Sequence, residues 1–190
     1  MKQRDYKGYA DYLAHQAGKI RRPGLRAKLE ARWTADVRRF SARFAELAGI
    51  VPAGRRAICL GARLGAEVQA LRDLGYDAIG VDLVASPPLV IRGDMHDAPF
   101  PFGSCELVYT NSIDHVYDLS RFAIEVRRLL TRPGWLAVQL ALGNFGTWES
   151  LRIDTVDEFT AALPGFRVIR RSTNGKPPPS TRIELLLEIE

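Results

Sequence analysis

The chain predicts a doubly wound α/β fold: a mostly parallel seven-stranded sheet with one antiparallel strand, helices on both faces in three layers, and additional N-terminal helices. Three observations carry this reading. From residue 55 onward, short apolar runs alternate with amphipathic stretches, the pattern of repeated βα units. Runs such as "RRAICLG" and "GWLAVQLAL" are apolar on both faces, as buried parallel strands are. The last two runs are joined by a loop with no helix between them, so the closing pair is antiparallel.

Residues 1–49 read as a basic helical extension or lid, and residues 50–190 as the main domain. "DYKGYADYLAHQAGKI" is aromatic and suits a short helix or lid. Leu25, Leu29, Trp33, Val37, Phe40, Phe44 and Leu47 recur every three or four residues and predict a single helix of about six turns. Pro23-Gly24 starts it and Gly49 ends it. "RRAICLG" is the first strand of the main domain, and a helix over 64–74 ends near Gly75. "DAIGVDL", the short "LVIRGD" and "CELVYTNS" are the next three strands. A helix over Leu119–Thr131 turns Phe122, Val126, Leu129 and Leu130 inward. Arg132-Pro133-Gly134 opens the fifth strand, "GWLAVQLAL". A helix follows over Thr155–Leu163, capped by Asp154 or Thr155. "GFRVIRRS" and "RIELLLEIE" flank the loop "TNGKPPPST" and close the sheet.

Composition narrows the class. The chain has 190 residues, 46% of them hydrophobic, enough core for one α/β domain. No apolar run reaches the roughly 18 residues that a membrane span needs. The N-terminus lacks the apolar core of a signal peptide, so a cytoplasmic protein is expected. Cys59 and Cys105 lie in apolar runs without companion histidines or cysteines and read as reduced, buried thiols. No metal site is expected. Net charge is +5, but residues 1–49 hold 12 Lys/Arg against 5 Asp/Glu, whereas the remainder holds 15 against 17. The basic excess belongs to the N-terminal segment.

Ligands of open parallel sheets collect beyond the carboxyl ends of the strands, and four stretches fall there. Gly61-Ala62-Arg63-Leu64-Gly65 forms a tight turn before a helix whose free N–H groups point at the site. Asp82, followed by Leu83, ends the second strand, where a carboxylate can accept both hydroxyls of a ribose. Gly93-Asp94-Met95-His96 follows the third strand. There a carboxylate can accept from an exocyclic amine while a backbone N–H donates to a ring nitrogen, a pairing that recognises adenine. Tyr109 to His115 ends the central strand and brings Asn111, Ser112, Asp114 and His115 to the cleft.

In this order the four stretches make residues 55–190 resemble the class I S-adenosylmethionine-dependent methyltransferases, in particular the small-molecule type with a single Rossmann-like domain. "GDMHDAPFPFGSCELVYT" is similar to that family's adenine-site stretch and the strand after it. "EVRRLLTRPGWLAVQ" is similar to its helix-turn-strand. The resemblance implies S-adenosyl-L-methionine as cofactor, held by Gly61, Ala62, Arg63 and Gly65 at the methionine end. It further implies Asp82 and Leu83 at the ribose, Asp94 and Met95 at the adenine, and Asn111 and Ser112 beside them. Two positions depart from the family pattern: its acid is here Cys59, and its middle glycine is Arg63. Arg63 is a candidate partner for the methionine carboxylate, and Glu67 a candidate replacement for the acid.

Methyl transfer from a sulfonium is an in-line displacement, to which a protein contributes alignment and a base. His115 is the candidate base, with Asp114 or His96 as alternatives. "Asn111-Ser112-Ile113-Asp114" stands where nucleobase-amine methyltransferases carry Asn/Asp-Pro-Pro-Tyr. Lys176 is the only lysine beyond residue 49, which argues against a lysine-based ribose methylation site. A hydroxyl or carboxyl of a small molecule remains, such as a sugar, a phosphorylated metabolite or a secondary metabolite. Neither nucleic acid nor membrane is the expected partner, and a monomer or homodimer is expected. The basic N-terminus motivates an alternative, a non-catalytic or RNA-directed binding module on a degenerate methyltransferase fold.

Overall fold

The computed structural model describes residues 1–173, 176 and 181–190. Most of the loop between the last two strands, "TNGKPPPST", lies outside the described residues. From the N-terminus come β1 (Lys2–Gln3), α1 (Tyr9–Ile20), α2 (Leu25–Ala31) and α3 (Trp33–Ala45). The alternating part follows: β2 (Arg56–Leu60), α4 (Ala66–Asp73), β3 (Asp77–Asp82), β4 (Val90–Arg92) and β5 (Cys105–Thr110). A single 3₁₀ turn, Ile113–His115, leads to α5 (Leu119–Leu129) and β6 (Leu130–Ala141). The chain closes with β7 (Leu151–Arg152), α6 (Val156–Ala161), β8 (Phe166–Thr173) and β9 (Arg182–Ile189).

Seven strands form one sheet in the order β4-β3-β2-β5-β6-β9-β8. β2 through β6 pair in parallel, and β9 runs antiparallel to both its neighbours. This is the predicted class. Chain order reverses between β2 and β5, and their carboxyl ends part there to leave a crevice. One apolar core, with Phe122, Val126 and Phe159, packs on the α5/α6 face. The other, with Phe44, Val68 and Leu71, packs on the α3/α4 face. Tyr109 of β5 is fully buried under α3, with Phe44 edge-on at 4.8 Å and Arg43 donating to its hydroxyl at 3.0 Å.

The structure corrects the N-terminal reading. The stripe from Leu25 to Leu47 is two helices, not one. The chain breaks at Arg32, whose N–H bonds to Leu29 three residues back rather than to Lys28 four back. α2 buries none of its side chains, whereas Phe40 and Phe44 of α3 are buried. β6 starts at Leu130, directly after α5, so the Arg132-Pro133-Gly134 segment lies within the strand. Thr155 is the cap of α6, in a reciprocal capping box with Glu158.

A small second sheet was not legible in the sequence: β1 pairs antiparallel with β7, Lys2 opposite Arg152. Arg4 adds bonds to the carbonyls of Glu149, at 2.9 Å, and Gly146, and the N-terminal amine meets Glu158 at 2.5 Å. These contacts fasten the N-terminal segment to the loop after β6, so that α1 lies over the carboxyl ends of the strands. No helix among the described residues is long and apolar enough to cross a membrane.

Candidate active site

The turn after β2 is set by its glycines. Gly61 has φ +75°, and a Cβ there would lie 2.8 Å from the Cβ of Ser112. No side chain therefore fits where β2 and β5 part. Gly65, with φ +89°, caps α4. Between them Arg63 holds φ +49°, the left-handed region that costs an L-residue roughly 1–2 kcal/mol. The backbone thus takes the course a glycine would take, and the change at Arg63 lies in its side chain. Among the described residues the guanidinium has no hydrogen bond or ion pair.

A cavity of about 480 Å³, open to solvent, lies on one side of this turn. Eight of the expected residues line it: Gly61, Arg63, Asp82, Leu83, Asp94, Met95, Ser112 and His115. Asp82 is buried, which raises its pKa, and accepts the backbone N–H of Arg63 at 2.9 Å and of Val84 at 3.2 Å. Asp94 accepts the His96 N–H and ring at 2.9 Å on one oxygen and the Tyr9 hydroxyl at 2.5 Å on the other. Burial raises the pKa of Asp94, but these bonds outweigh it and hold the carboxyl below its ordinary value.

The same bonds remove His96 as an alternative base. Its Nδ1 faces Asp94, and its Nε2 accepts from the backbone of Tyr117 at 3.2 Å and Asp118 at 3.4 Å. Both ring nitrogens are consumed, and the histidine braces the turn.

His115 is placed differently. Its Nδ1 lies 2.9 Å from the Trp148 carbonyl, which can only accept, so Nδ1 carries the proton and Nε2 the lone pair. Lys19 of α1 donates to that lone pair at 2.6 Å. Burial lowers the pKa of His115, and burial, helped by Arg63, brings Lys19 from 10.5 to about 8. Asp114 does not line the cavity. It sits 3.6 Å from His115 and accepts from Asn144 at 2.8 Å. Asp114, His115 and Glu149 bring donor atoms within 4.8 Å of one another, a spacing that suits a cation. Here Asn144 bridges the two carboxylates, and both imidazole nitrogens are engaged.

On the other side of the turn a second cavity, about 560 Å³, lies against α2 and α3. The remaining expected residues, Ala62, Gly65 and Asn111, line this one, and Gly61 and Arg63 line both. The sequence reading missed Tyr9, Tyr12, Gln16 and Lys19. The last three fall at spacings of four and three, so the cavity wall is one face of α1. That spacing was the available signal, but nothing local says which surface the face meets.

Residues 58–138 match the family described as methyltransferase domain. No curated protein matches the chain at a significant level. Among solved structures, it is similar to the Burkholderia thailandensis 1,6-didemethyltoxoflavin-N1-methyltransferase, a structure with bound S-adenosylhomocysteine. That likeness has 14% identity and TM-score 0.68, over 98% of this chain and 93% of that one. It is also similar to a Thermotoga maritima S-adenosylmethionine-dependent methyltransferase described as a possible histamine N-methyltransferase. There the identity is 17% and the TM-score 0.63, over 86% and 96% of the two chains. A Methanosarcina mazei S-adenosylmethionine-dependent methyltransferase aligns at 14% identity and TM-score 0.64, over 76% of this chain and 96% of that one. The methyltransferase-domain match runs from β2 into β6, and the chain shares its fold, with a sheet of this order, with these S-adenosylmethionine-dependent methyltransferase structures.

Proposed function

We propose that the enzyme methylates a hydroxyl or carboxyl of a small molecule, with residues 50–190 binding the cofactor and residues 1–49 serving as a basic lid over the acceptor. The observation that carries this reading is the His115–Lys19 pair on the wall of the cavity shared with Asp82 and Asp94. A hydroxyl must lose its proton as it is methylated, and His115 offers an imidazole lone pair held in one tautomer by the Trp148 carbonyl.

The residues present fit the cofactor. The crevice at Gly61 has room only while position 61 lacks a side chain, and two carboxylates, Asp82 and Asp94, line the cavity, one able to accept a ribose's hydroxyls and the other a nucleobase amine. Asp82 with Leu83 would take the ribose, and Asp94 with Met95 the adenine. Gly61, Ala62, Arg63 and Gly65 would take the methionine end, and Asn111 and Ser112 the region between. When bound, the cofactor supplies an electrophilic methyl group. His115 would receive the acceptor's proton, Lys19 would set when it can, and Asp114 would hold the imidazole from the side. Lys19 on the cavity wall would favour an acidic or phosphorylated acceptor.

The experiment is transfer of labelled methyl from S-adenosyl-L-methionine into a panel of small alcohols, carboxylic acids, amines and RNA. Incorporation into alcohols or acids is expected. His115→Ala should lower turnover about 10²–10⁴-fold, the usual worth of a general base, while S-adenosylhomocysteine still binds. Wild-type turnover in that variant would remove His115 from the mechanism. Incorporation into RNA alone would favour the RNA-directed alternative that the basic N-terminal segment motivates.

A further inference from the structure

We infer that the second cavity is a clamp for the zwitterionic tail of the cofactor, in which Glu67 takes the ammonium and Arg63 the carboxylate. The inference rests on the cofactor placement proposed above and goes beyond it, because it assigns both ends of the amino-acid tail to residues outside the family's usual pair.

Glu67 lies in the first turn of α4 and is 5% exposed, yet it lines the cavity. Among the described residues its carboxyl has no ion pair, and its one hydrogen-bonding contact is its own backbone N–H. A buried carboxyl without a partner is expensive, and burial accordingly raises its pKa to about 7, with Arg63 acting in the opposite sense. The arrangement becomes favourable once a cation arrives.

Elimination points the same way. Asp36, the other acid on this cavity, is already held by Arg32 at 3.3 Å and Arg39 at 3.0 Å. Cys59, at the family's acid position, is fully buried, and its thiol is pushed further up by burial. Arg63 is the complement: a guanidinium without a hydrogen bond or ion pair among the described residues, on the wall of both cavities and suited to grip a carboxylate with two parallel bonds. The acid has in effect moved from the strand end to the helix that follows it, one turn of chain away, and a guanidinium has entered where a glycine would leave space.

Because Glu67 titrates near neutrality, binding an ammonium beside it must expel a proton. Cofactor affinity should rise as pH rises through about 7, and calorimetry in two buffers of different ionisation enthalpy should report proton release at pH 6.5.

The test compares S-adenosylhomocysteine with 5′-methylthioadenosine, which keeps the nucleoside and lacks the amino-acid tail. Calorimetric titration of the full-length protein should show Glu67→Gln and Arg63→Gly each weakening S-adenosylhomocysteine about 10- to 100-fold, the worth of a charge-assisted hydrogen bond. Both should bind 5′-methylthioadenosine as the wild type does. Glu67→Gln should also abolish proton release. Arg63→Gly relaxes the strained backbone, and Glu67→Gln removes a buried acid, so thermal melts should show both folded. Unchanged S-adenosylhomocysteine affinity, or equal weakening of both ligands, overturns the clamp. Wild-type protein that binds both ligands equally overturns the clamp and leaves the nucleoside placement standing. Wild-type protein that binds neither overturns the placement itself.

Discussion

At the residue scale, Lys19 and His115 form one titrating unit, because the ammonium donates to the lone pair a base would need. With Lys19 at about 8, the pair becomes able to accept a proton only as pH rises through that value. The rate profile, measured on an acceptor found by the labelled-methyl screen, should therefore rise near pH 8. Lys19→Met should move the rise acidward, to the ordinary imidazole value of about 6.5 or below. A profile that does not move would show that Lys19 does not gate His115. Stability carries the same signature. Between about pH 8 and 10.5 the unfolded chain binds a proton at Lys19 that the folded chain does not, so stability rises across that window and is lost as pH falls through 8. Thermal melts of Lys19→Met should lack this slope. His115 could be read from the sequence because it lies in the polar turn just beyond the end of a buried strand. Lys19 could not, since 96 residues separate it from its partner and its local pattern is that of any basic helix.

At the scale of elements, strands were more legible than helix ends. A parallel strand buried on both sides announces itself by composition, and all seven main-sheet strands fall where apolar runs predicted them. Periodicity misled over residues 25–47, because a stripe records which face could be buried and not whether a surface exists to bury it. Leu25 and Leu29 continue the phase of Phe40 and Phe44, but α2 overhangs the cavity instead of the sheet. A clear stability contrast is expected. Phe44→Ala, in the core against Tyr109, should cost about 3–5 kcal/mol, and Leu29→Ala less than about 1 kcal/mol, as read by denaturant titration. Equal losses would mean that the two helices act as the single packed rod the sequence suggested. β1 and β7 escaped notice because two-residue strands have no period to detect.

At the scale of the whole molecule, the N-terminal segment and the sheet compete for one carboxylate. Tyr9 occupies an oxygen of Asp94 at 2.5 Å, the group proposed to meet the nucleobase amine, and burial with that bond drives its phenol pKa upward. The segment is held by exposed ties at its start, such as the amine of Met1 on Glu158 and a two-residue strand pair, and by buried ones along α1, where Gln16 donates to the Trp148 carbonyl and the Ser150 hydroxyl at 2.9 Å and Tyr12 is fully buried. The exposed ties contribute about 0–1 kcal/mol each, but the buried ones hold α1 in place, so the local competition is for the one hydroxyl donor that Asp94 takes from Tyr9. A bound nucleoside would supply that donor and release Tyr9. Tyr9→Phe removes the competitor while keeping the ring that packs on Tyr12 and Tyr117. It should tighten S-adenosylhomocysteine binding by up to about tenfold, equivalent to about 1.4 kcal/mol, and quicken amide exchange along α1 in the free protein. Asp94→Asn should weaken the same ligand, because its amide cannot accept on both arms. Weaker binding in Tyr9→Phe would reverse the relation, making the tyrosine hydroxyl part of the ligand's own shell and α1 a wall of the site that need never lift.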